Sequence, residues 1–389
     1  MTAPLIYLIA GEPSGDFLGA RLMAALRERM AGRVRFAGIG GEEMAAQGLE
    51  SRVPLDELAI MGVAEVLPRA RRIFRRVAET IADILNLGPA AVVTIDSSGF
   101  TWRVAHGLRR RGARVPLIHY VAPMVWAWRA GRARRMARWY DHLMVLLPFE
   151  PPYFKAAGLS CNYVGHPVVE SGADRGDGAG FRRRHGIASS ARLLLLLPGS
   201  RGGEVSRLLP VFKDAALRLG AHHPGLAVAL ATTATVRTKV AEAVAGWPIP
   251  VILVGRDEKY DAFAAGDVAL AASGTVALEL ALARVPTVVA YRVNRLTHAL
   301  VKRIVRIRYA NLLNLVLGRE AVPELIQANC SPDRLAAAAA RLLDDAGARA
   351  AQIAACGEGL KLLGLGGVSP SLRAADDVLA IIAARTPRS

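Results

Sequence analysis

The chain has 389 residues, 52% of them apolar, and its 50 Lys and Arg outnumber 33 Asp and Glu, giving a formal net charge of +17. This length exceeds what one hydrophobic core usually supports, so we expect two domains, and the apolar content suffices for both cores. The charge predicts an anionic partner: nucleic acid, an anionic lipid surface or a phosphorylated substrate.

Cysteine and histidine spacing excludes several kinds of site. Cys161, Cys330 and Cys356 are scattered without a CxxC pair, which argues against a disulfide framework or a structural zinc site and fits a reduced, cytoplasmic protein. No histidine has metal-ligand spacing, so we expect no metal and no cofactor. The apolar run at residues 4–10 is too short for a membrane span and lacks a basic lead-in, so we expect no signal peptide.

Short apolar runs alternate with segments of helical period, which predicts α/β domains with parallel sheets wound by helices on both faces. Each strand predicted in the first half precedes turn residues: Leu5–Ala10, Val34–Ile39, Ala91–Ile95, Leu117–Val121 and His142–Leu146.

The first strand is followed by Gly11-Glu12-Pro13-Ser14-Gly15-Asp16, in which Ser14 is the predicted N-cap of a helix. An ordinary strand-to-helix turn is one interpretation. The other is a binding site, because the first such turn of a wound sheet faces the ligand crevice.

Two segments combine apolar residues at helical spacing with a basic face. Residues 66–85 place Val66, Leu67, Ala70, Ile73, Phe74, Val77, Ile81 and Ile84 on one stripe, with Arg69, Arg71, Arg72, Arg75 and Arg76 on the other side. Residues 296–307 carry Lys302, Arg303 and Arg306. A solvated face over a buried stripe is the commoner explanation, and a surface for anionic lipid is the functional one. Nucleic acid is less favoured, because aromatic residues do not interleave with the basic runs.

Asp96 directly follows a buried strand, where its carboxylate would project as a general base for a hydroxyl nucleophile; a turn cap is equally consistent. Trp126 and Trp128 lie in a loop of small residues after the next strand, ahead of Arg132, Arg134, Arg135 and Arg138. They either pack in the core or form a sugar- or lipid-facing surface. His166 precedes the predicted linker, and we favour a hinge role over proton transfer.

The segment 171–180 has little to bury and is the predicted interdomain linker. A second series of strands follows it: Arg192–Leu197, Ala227–Ala231, Val251–Val254, Val268–Ala271 and Thr287–Tyr291. The predicted domains are 1–170 and 181–368 around a central cleft, with a helix in 369–389 packing back across the hinge or onto a partner chain.

Two turns in the second half have phosphate-binding character. Gly199-Ser200-Arg201 follows five leucines, and its glycine lets backbone N–H groups approach an anion. Ser273-Gly274-Thr275 follows the strand Val268–Ala271 and opens a helix that carries Glu279. Together these turns predict a nucleotide-diphosphate site.

These motifs, taken in order, resemble the lipid-A-disaccharide synthase family, whose fold is of the GT-B glycosyltransferase type with two Rossmann-like, doubly wound domains. The resemblance covers nearly the whole chain, through Gly11–Asp16, Ile60–Val66, Tyr120–Arg129, Leu147–Glu150, Gly165–Pro167, Leu196–Glu204, Ser273–Glu279 and Asn314–Glu320. The chain departs from the family at Ser98 and Gly99, where the family has Pro and Asp, and at Ala122 and Met124, where it has serines.

The resemblance implies a hexosyltransferase that joins UDP-2,3-diacylglucosamine to 2,3-diacylglucosamine 1-phosphate at the inner membrane surface, and it permits a homodimer. Asp96 would be the base and Arg201 the partner of the departing diphosphate. The implied UDP-sugar residues are Gly199, Ser200, Arg201, Ser273, Gly274, Thr275, Glu279 and Asn314. The expected acceptor residues are Ser14, Gly15, Asp16, Met61, Trp126 and Trp128. A UDP-sugar 2-epimerase on the same architecture and a basic RNA-binding module are the alternatives.

Overall fold

The computed structural model describes residues 3–58, 66–127, 131–294 and 308–385. The chain divides into two compact units, one formed by Met1–Pro167 with Gly366–Ser389 and the other by Val168–Leu365.

The first unit contains a six-stranded parallel sheet with the order β2-β1-β3-β4-β5-β6. Its strands are β1 Leu5–Ala10, β2 Arg35–Ile39, β3 Ala91–Ile95, β4 Leu117–Tyr120, β5 His142–Val145 and β6 Ser160–Tyr163. The central strands are apolar and buried because helices cover both faces of the sheet.

Helices of the first unit pack on opposite faces of this sheet. They are α1 Pro13–Arg29, α2 Glu42–Ala46, α3 Val66–Leu87, α4 Ser98–Arg110, α5 Gly131–Met136 and α6 Pro151–Lys155. Ile6 and Leu8 of β1 belong to the apolar cluster containing α1, whereas Tyr7 and Ile9 belong to the cluster containing α3 and α4. This alternation along one strand places a hydrophobic core on each face.

The second unit repeats the plan, with the sheet order β12-β11-β10-β7-β8-β9 and all pairs parallel. Its strands are β7 Leu193–Leu197, β8 Ala227–Ala231, β9 Val251–Val254, β10 Val268–Ala272, β11 Thr287–Tyr291 and β12 Glu324–Ile326. The helices are α7 Gly178–Arg184, α8 Gly202–His222, α9 Ala234–Ala245, α10 Lys259–Ala265, α11 Val276–Leu282, α12 Leu312–Leu317, α13 Pro332–Asp344 and α14 Ala346–Leu362.

All ten predicted strands form, each within one residue of its predicted bounds. The prediction missed Ser160–Tyr163 and Glu324–Ile326, which lie at the ends of the two sheets. Both are short and only partly buried, so they lack the apolar run that marks an inner strand.

The segment 171–180 belongs to the second unit and packs within it, rather than being free of contacts as its composition suggested. A Cβ on Gly176 would lie 2.0 Å from the Tyr260 carbonyl oxygen, and the Asp177 N–H donates to Asp261 at 2.7 Å. Glycine here serves close backbone packing rather than chain flexibility.

The C-terminal helix α15 spans Pro370–Arg385, as its periodicity predicted. It packs against α1 in the first unit, where Ala374, Ala375 and Val378 are buried. A bidentate pair between Arg29 and Asp376, at 2.8 Å for each bond, adds a polar contact between these two helices.

Both sheets have a topological switch point, where two adjacent strands continue into helices on opposite faces. In the first sheet it lies between β1 and β3, and in the second between β7 and β10. Ligands of open parallel sheets bind outside the carboxyl ends of such strands. We call the carboxyl-terminal side of the first sheet at its switch point the first edge and the corresponding place in the second sheet the second edge; neither is an outermost strand.

Candidate functional site

The first edge brings Gly11 beside the turn that holds Asp96. Ala10 pairs with Ile95, so Gly11 and Asp96 follow neighbouring strand ends. A Cβ on Gly11 would lie 2.3 Å from the Ser97 hydroxyl oxygen. Only glycine leaves room here for the Ser97 side chain.

Backbone strain is concentrated at the first edge. Of the six non-glycine residues with positive φ in the described part of the chain, three lie here: Asp96 at 49°, Ser97 at 44° and Val121 at 79°. The left-handed region costs a non-glycine residue about 1–2 kcal/mol, and a β-branched valine rarely adopts it. Such strain persists where surrounding structure enforces it, and it is commonest at functional sites.

Asp96 is held by its backbone and is partly buried. Its backbone N–H donates to the Tyr120 carbonyl at 2.9 Å, which fixes the residue to the end of β4. Burial raises the pKa of the Asp96 carboxyl, and the Ser97 N–H offsets part of that rise. A raised pKa makes a carboxylate a stronger base near neutral pH.

The turn after β1 differs from its prediction. Helix α1 begins at Pro13 with Glu12 as its N-cap, so the assignment of Ser14 as the cap is wrong. Proline takes the first helical position because it has no N–H to satisfy there. Gly15 lies against β3, since a Cβ on it would be 3.4 Å from the Ile95 carbonyl oxygen.

Asp16 is buried, and its carboxylate is used within the first unit. It accepts hydrogen bonds from the backbone N–H groups of Gly41, Glu43 and Met44 at 2.7, 2.9 and 3.0 Å. These are the donors at the start of α2, so Asp16 acts as a cap supplied from another helix.

Trp126 is held at the same edge by Glu150, which follows β5. The indole N–H donates to one carboxylate oxygen of Glu150 at 3.2 Å, and the Leu147 N–H donates to the other at 2.9 Å. Phe149 packs edge-on against the Trp126 ring, with the centroids 5.2 Å apart. Burial raises the pKa of Glu150 to about 7.

Several predicted features fall elsewhere. Met61, Trp128 and the basic segment 296–307 lie outside the described residues. His166 is buried, one residue before the end of the first unit's main segment, and burial lowers its pKa to about 4. A histidine with so low a pKa is neutral near pH 7, which agrees with a structural role.

The second edge places a glycine turn at the start of a long helix. Gly199 has φ 108°, and a Cβ on it would meet Glu204 Oε2 at 2.5 Å. Arg201 is the N-cap residue of α8, and its side chain is 77% exposed with one contact to Glu204 at 3.4 Å. An exposed pairing of this length is weak, so the guanidinium remains available to an anion beside the first N–H groups of α8.

Ser273, Gly274 and Thr275 follow the adjacent strand β10. Leu197 pairs with Ala271, so this turn and the Gly199 turn lie side by side. The Ser273 hydroxyl donates to the Ala310 carbonyl at 3.1 Å, whereas Gly274 and Thr275 are exposed. The adjacent turns form a concentration of backbone donors suited to phosphate.

Glu279 is held by two residues that sequence reasoning missed. Lys259 Nζ lies 2.9 Å from each carboxylate oxygen, and the Tyr260 hydroxyl donates to Oε1 at 3.1 Å. Both partners are the first two residues of α10, directly after the loop that follows β9. Their position after a strand end is the sequence signal that could have identified them.

Asn314 is completely buried, and both ends of its amide are satisfied. Its nitrogen donates to the Val322 carbonyl and to Glu324, and its oxygen accepts from Ala321 and Val322, all at 2.7–2.9 Å. Asn314 therefore fixes the chain between α12 and β12.

In the described ranges, no three His, Cys, Asp or Glu side chains come together as metal ligands do. Within these ranges there is also no helix whose length and apolar character would let it cross a membrane.

Comparison with solved structures gives the fold. The UDP-GlcNAc 2-epimerase from Methanocaldococcus jannaschii superposes with a TM-score of 0.60 at 12% identity, covering 98% of this chain and 99% of that one. The glycotransferase of kitacinnamycin superposes with a TM-score of 0.62 at 17% identity, covering 97% and 98%. At these identities the likeness establishes a GT-B-type architecture.

Comparison of sequences is more specific. The family model described as Lipid-A-disaccharide synthetase matches residues 6–364. Lipid-A-disaccharide synthase of Rhodospirillum centenum is 58% identical over 98% of this chain and 95% of its own length, and that of Paramagnetospirillum magneticum is 53% identical over 97% of each. The epimerase and RNA-binding alternatives are not favoured by these relatives. The chain belongs to the lipid-A-disaccharide synthase family.

Proposed function

We propose that the chain joins UDP-2,3-diacylglucosamine to 2,3-diacylglucosamine 1-phosphate, with Asp96 as the base and Arg201 as the partner of the leaving diphosphate. The observation that carries the proposal is the turn at Asp96. Its backbone is strained, and it presents a partly buried carboxylate of raised pKa at a switch point. Family membership makes the chain a glycosyltransferase acting on a UDP-sugar and a glycolipid.

In the proposed reaction Asp96 takes the proton of the acceptor 6-hydroxyl. The hydroxyl oxygen forms a bond to the anomeric carbon of the donor, with inversion, as the bond from that carbon to the UDP oxygen breaks. The products are tetraacyl disaccharide 1-phosphate and UDP. Base catalysis of this kind contributes about 10²–10⁴-fold to the rate.

The second edge would stabilise the negative charge that develops on the departing UDP. Arg201 supplies a fixed positive charge, and the first turn of α8 supplies backbone donors and the positive end of the helix dipole. Gly199, Ser200 and Ser273–Thr275 complete the phosphate contacts, and Glu279 accepts from ribose hydroxyls.

Of the remaining expected site residues, we propose that some contact the acceptor and that others position neighbouring parts of the chain. We place Trp126 and Gly15 at the acceptor, together with Ser14, Met61 and Trp128. The three backbone hydrogen bonds that Asp16 accepts and the filled amide of Asn314 favour positioning roles over direct ligand contact, because groups so fully engaged within the protein gain little from a further partner.

Both substrates carry acyl chains, so we propose a cytoplasmic enzyme bound peripherally to the anionic inner membrane. Phe74, expected in the buried stripe of α3, is instead 58% exposed between the exposed Arg72 and Arg75, with the Arg103 guanidinium 5.6 Å from its ring centroid. An aromatic ring among arginines suits the headgroup region of a bilayer. Phe74→Ser should weaken cosedimentation with anionic vesicles, whereas Leu362→Ser, at another exposed apolar residue, should not.

The test of function is UDP release by purified enzyme supplied with the donor, with and without the acceptor. We expect acceptor-dependent UDP and a disaccharide product from the wild type and from Asp333→Asn, an exposed control, but not from Asp96→Asn. UDP release without any acceptor-dependent product would contradict the transferase. Light scattering on the same samples tests whether the chain is a homodimer.

A further inference from the structure

A row of buried hydroxyl and imidazole groups lies under the Asp96 turn and is not used by the proposed reaction. Its members are Thr94, Thr101, His119 and Tyr140, which are each at most 4% exposed. They come from β3, α4, β4 and the loop before β5, so no single motif contains them.

Thr101 is the member that touches the turn. Its hydroxyl lies 2.9 Å from the Asp96 carbonyl oxygen and 3.0 Å from the Ser97 carbonyl oxygen. These are the carbonyls of the two consecutive residues with positive φ. A single hydroxyl proton is therefore shared between the two peptide groups whose conformation aims the Asp96 side chain.

The other members are joined to one another beside Thr101. The Tyr140 hydroxyl lies 3.2 Å from the Thr94 hydroxyl, which lies 2.7 Å from His119 Nδ1. Burial lowers the pKa of His119 to about 3, so the ring is neutral and one nitrogen carries a proton.

The donors at the two threonines are defined by their partners. The Thr94 hydroxyl donates to the Tyr140 hydroxyl, with the Ile118 carbonyl 3.3 Å away as a second acceptor, and the Thr101 hydroxyl donates to the turn. Hydrogen bonds between buried polar groups are strong in a low-dielectric interior and hold those groups in place.

We propose that Thr101 is a positioning residue for the transfer reaction, holding the Asp96 carboxylate in its productive orientation through the carbonyl groups of residues 96 and 97. The inference rests on the proposed role of Asp96 as the base. Thr101 is fully buried under the turn, so substrate binding at the second edge is left unchanged.

The chain offers a matched control for Thr101. Thr80 is also a buried threonine on a helix whose hydroxyl donates to the carbonyl four residues earlier, that of Arg76, at 2.7 Å. Replacing either threonine by valine removes one such bond and keeps the shape, but only Thr101 contacts the Asp96 turn.

The experiment compares Thr101→Val, Thr101→Ser and Thr80→Val. For Thr101→Val we expect kcat to fall about 10–100-fold with the KM of the donor within about twofold. Thr101→Ser should recover most of the rate, and Thr80→Val should match the wild type. Equal kcat for Thr101→Val and Thr80→Val, or a loss that serine does not rescue, would overturn the proposal.

A second readout does not depend on turnover. In protein labelled with ¹³C at aspartate carboxyls, the signal lost in Asp96→Asn identifies Asp96, and we expect its titration to shift in Thr101→Val but not in Thr80→Val. An unshifted titration overturns the positioning role even if the wild type makes no disaccharide. If Asp96→Asn is inactive and Thr101→Val behaves as the control, the inference fails while the proposed function stands.

Discussion

The turn after β3 at the first edge bends through two non-glycine residues with positive φ, the partly buried Asp96 and the buried Ser97, whereas the turns after β7 and β10 at the second edge bend through Gly199 and Gly274. The first edge fixes the backbone that carries the carboxylate and partly removes that carboxylate from solvent. The second edge leaves backbone N–H groups and the Arg201 side chain open to solvent. A base needs orientation and partial desolvation, whereas a diphosphate needs many donors and a close approach of the backbone.

The sharpest way to separate the two edges is to remove the charge at Arg201. Because hydrogen bonds to charged groups are worth about 1.5–3 kcal/mol, we expect Arg201→Ala to lower kcat/KM for the donor by about 10–100-fold. Lysine at this position should recover only part of the loss, since it lacks the planar fork of arginine. Arg218→Ala, on the same helix and paired with Asp333, is the control and should match the wild type.

The first edge can be broken without touching Asp96. In Gly11→Ala the new methyl group would meet Ser97, and the strained turn would have to shift. We expect kcat to fall about 10-fold and stability to fall by about 1–3 kcal/mol, the usual cost of overpacking. Gly220→Ala, where a Cβ meets nothing within 4 Å, should keep kcat. Full activity in Gly11→Ala would show that the turn tolerates displacement.

A smaller effect is expected at Lys259, which holds Glu279 at the second edge. Lys259→Met keeps the aliphatic stem but frees the carboxylate to rotate. We expect the donor KM to rise about fivefold with kcat within about twofold, because the contact concerns binding of the nucleotide. Steady-state kinetics beside Lys361→Met, an exposed lysine of α14, provide the check. A change confined to kcat would contradict the assignment.

Ionisation of Glu150 should change the pH dependence of the unfolding free energy more than it changes activity. Its pKa is raised to about 7 by burial, so the protonated form favours the folded state. That contribution is complete below about pH 4 and is lost as the pH rises through about 7. Relative to Glu150→Gln, the wild type should lose on the order of 2–3 kcal/mol over this range.

Thermal melts of the wild type, Glu150→Gln and the exposed control Glu358→Gln at pH 5 and pH 8 measure this difference. Identical pH slopes for all three proteins would show that Glu150 ionises normally.

The sequence was informative where a single segment determines the structure. Apolar runs predicted the inner strands, and the order of the elements predicted two wound sheets whose edges carry Asp96 and Arg201. Sequence reasoning failed where hydrogen bonds join distant segments. No residue near Asp16 in the sequence indicates that it caps α2. Likewise, no neighbouring residue indicates that the hydrogen-bonding groups of Asn314 are all taken by the chain before and within β12.

The buried row under Asp96 was missed for the same reason. Thr101, His119 and Tyr140 are ordinary residues of three separate elements, and only the pairing of β3 with β4 brings them together. The outermost strand Ser160–Tyr163 was missed because a strand at the end of a sheet can be polar.

The division of labour between the edges is tested most directly by calorimetric titration of UDP into Asp96→Asn and Arg201→Ala beside turnover of the same samples. We predict that Asp96→Asn binds UDP within about twofold of the wild type while losing about 10²–10⁴-fold in kcat, and that Arg201→Ala loses UDP affinity. An Asp96→Asn enzyme that turns over normally, or that loses UDP affinity as strongly as turnover, would contradict the account.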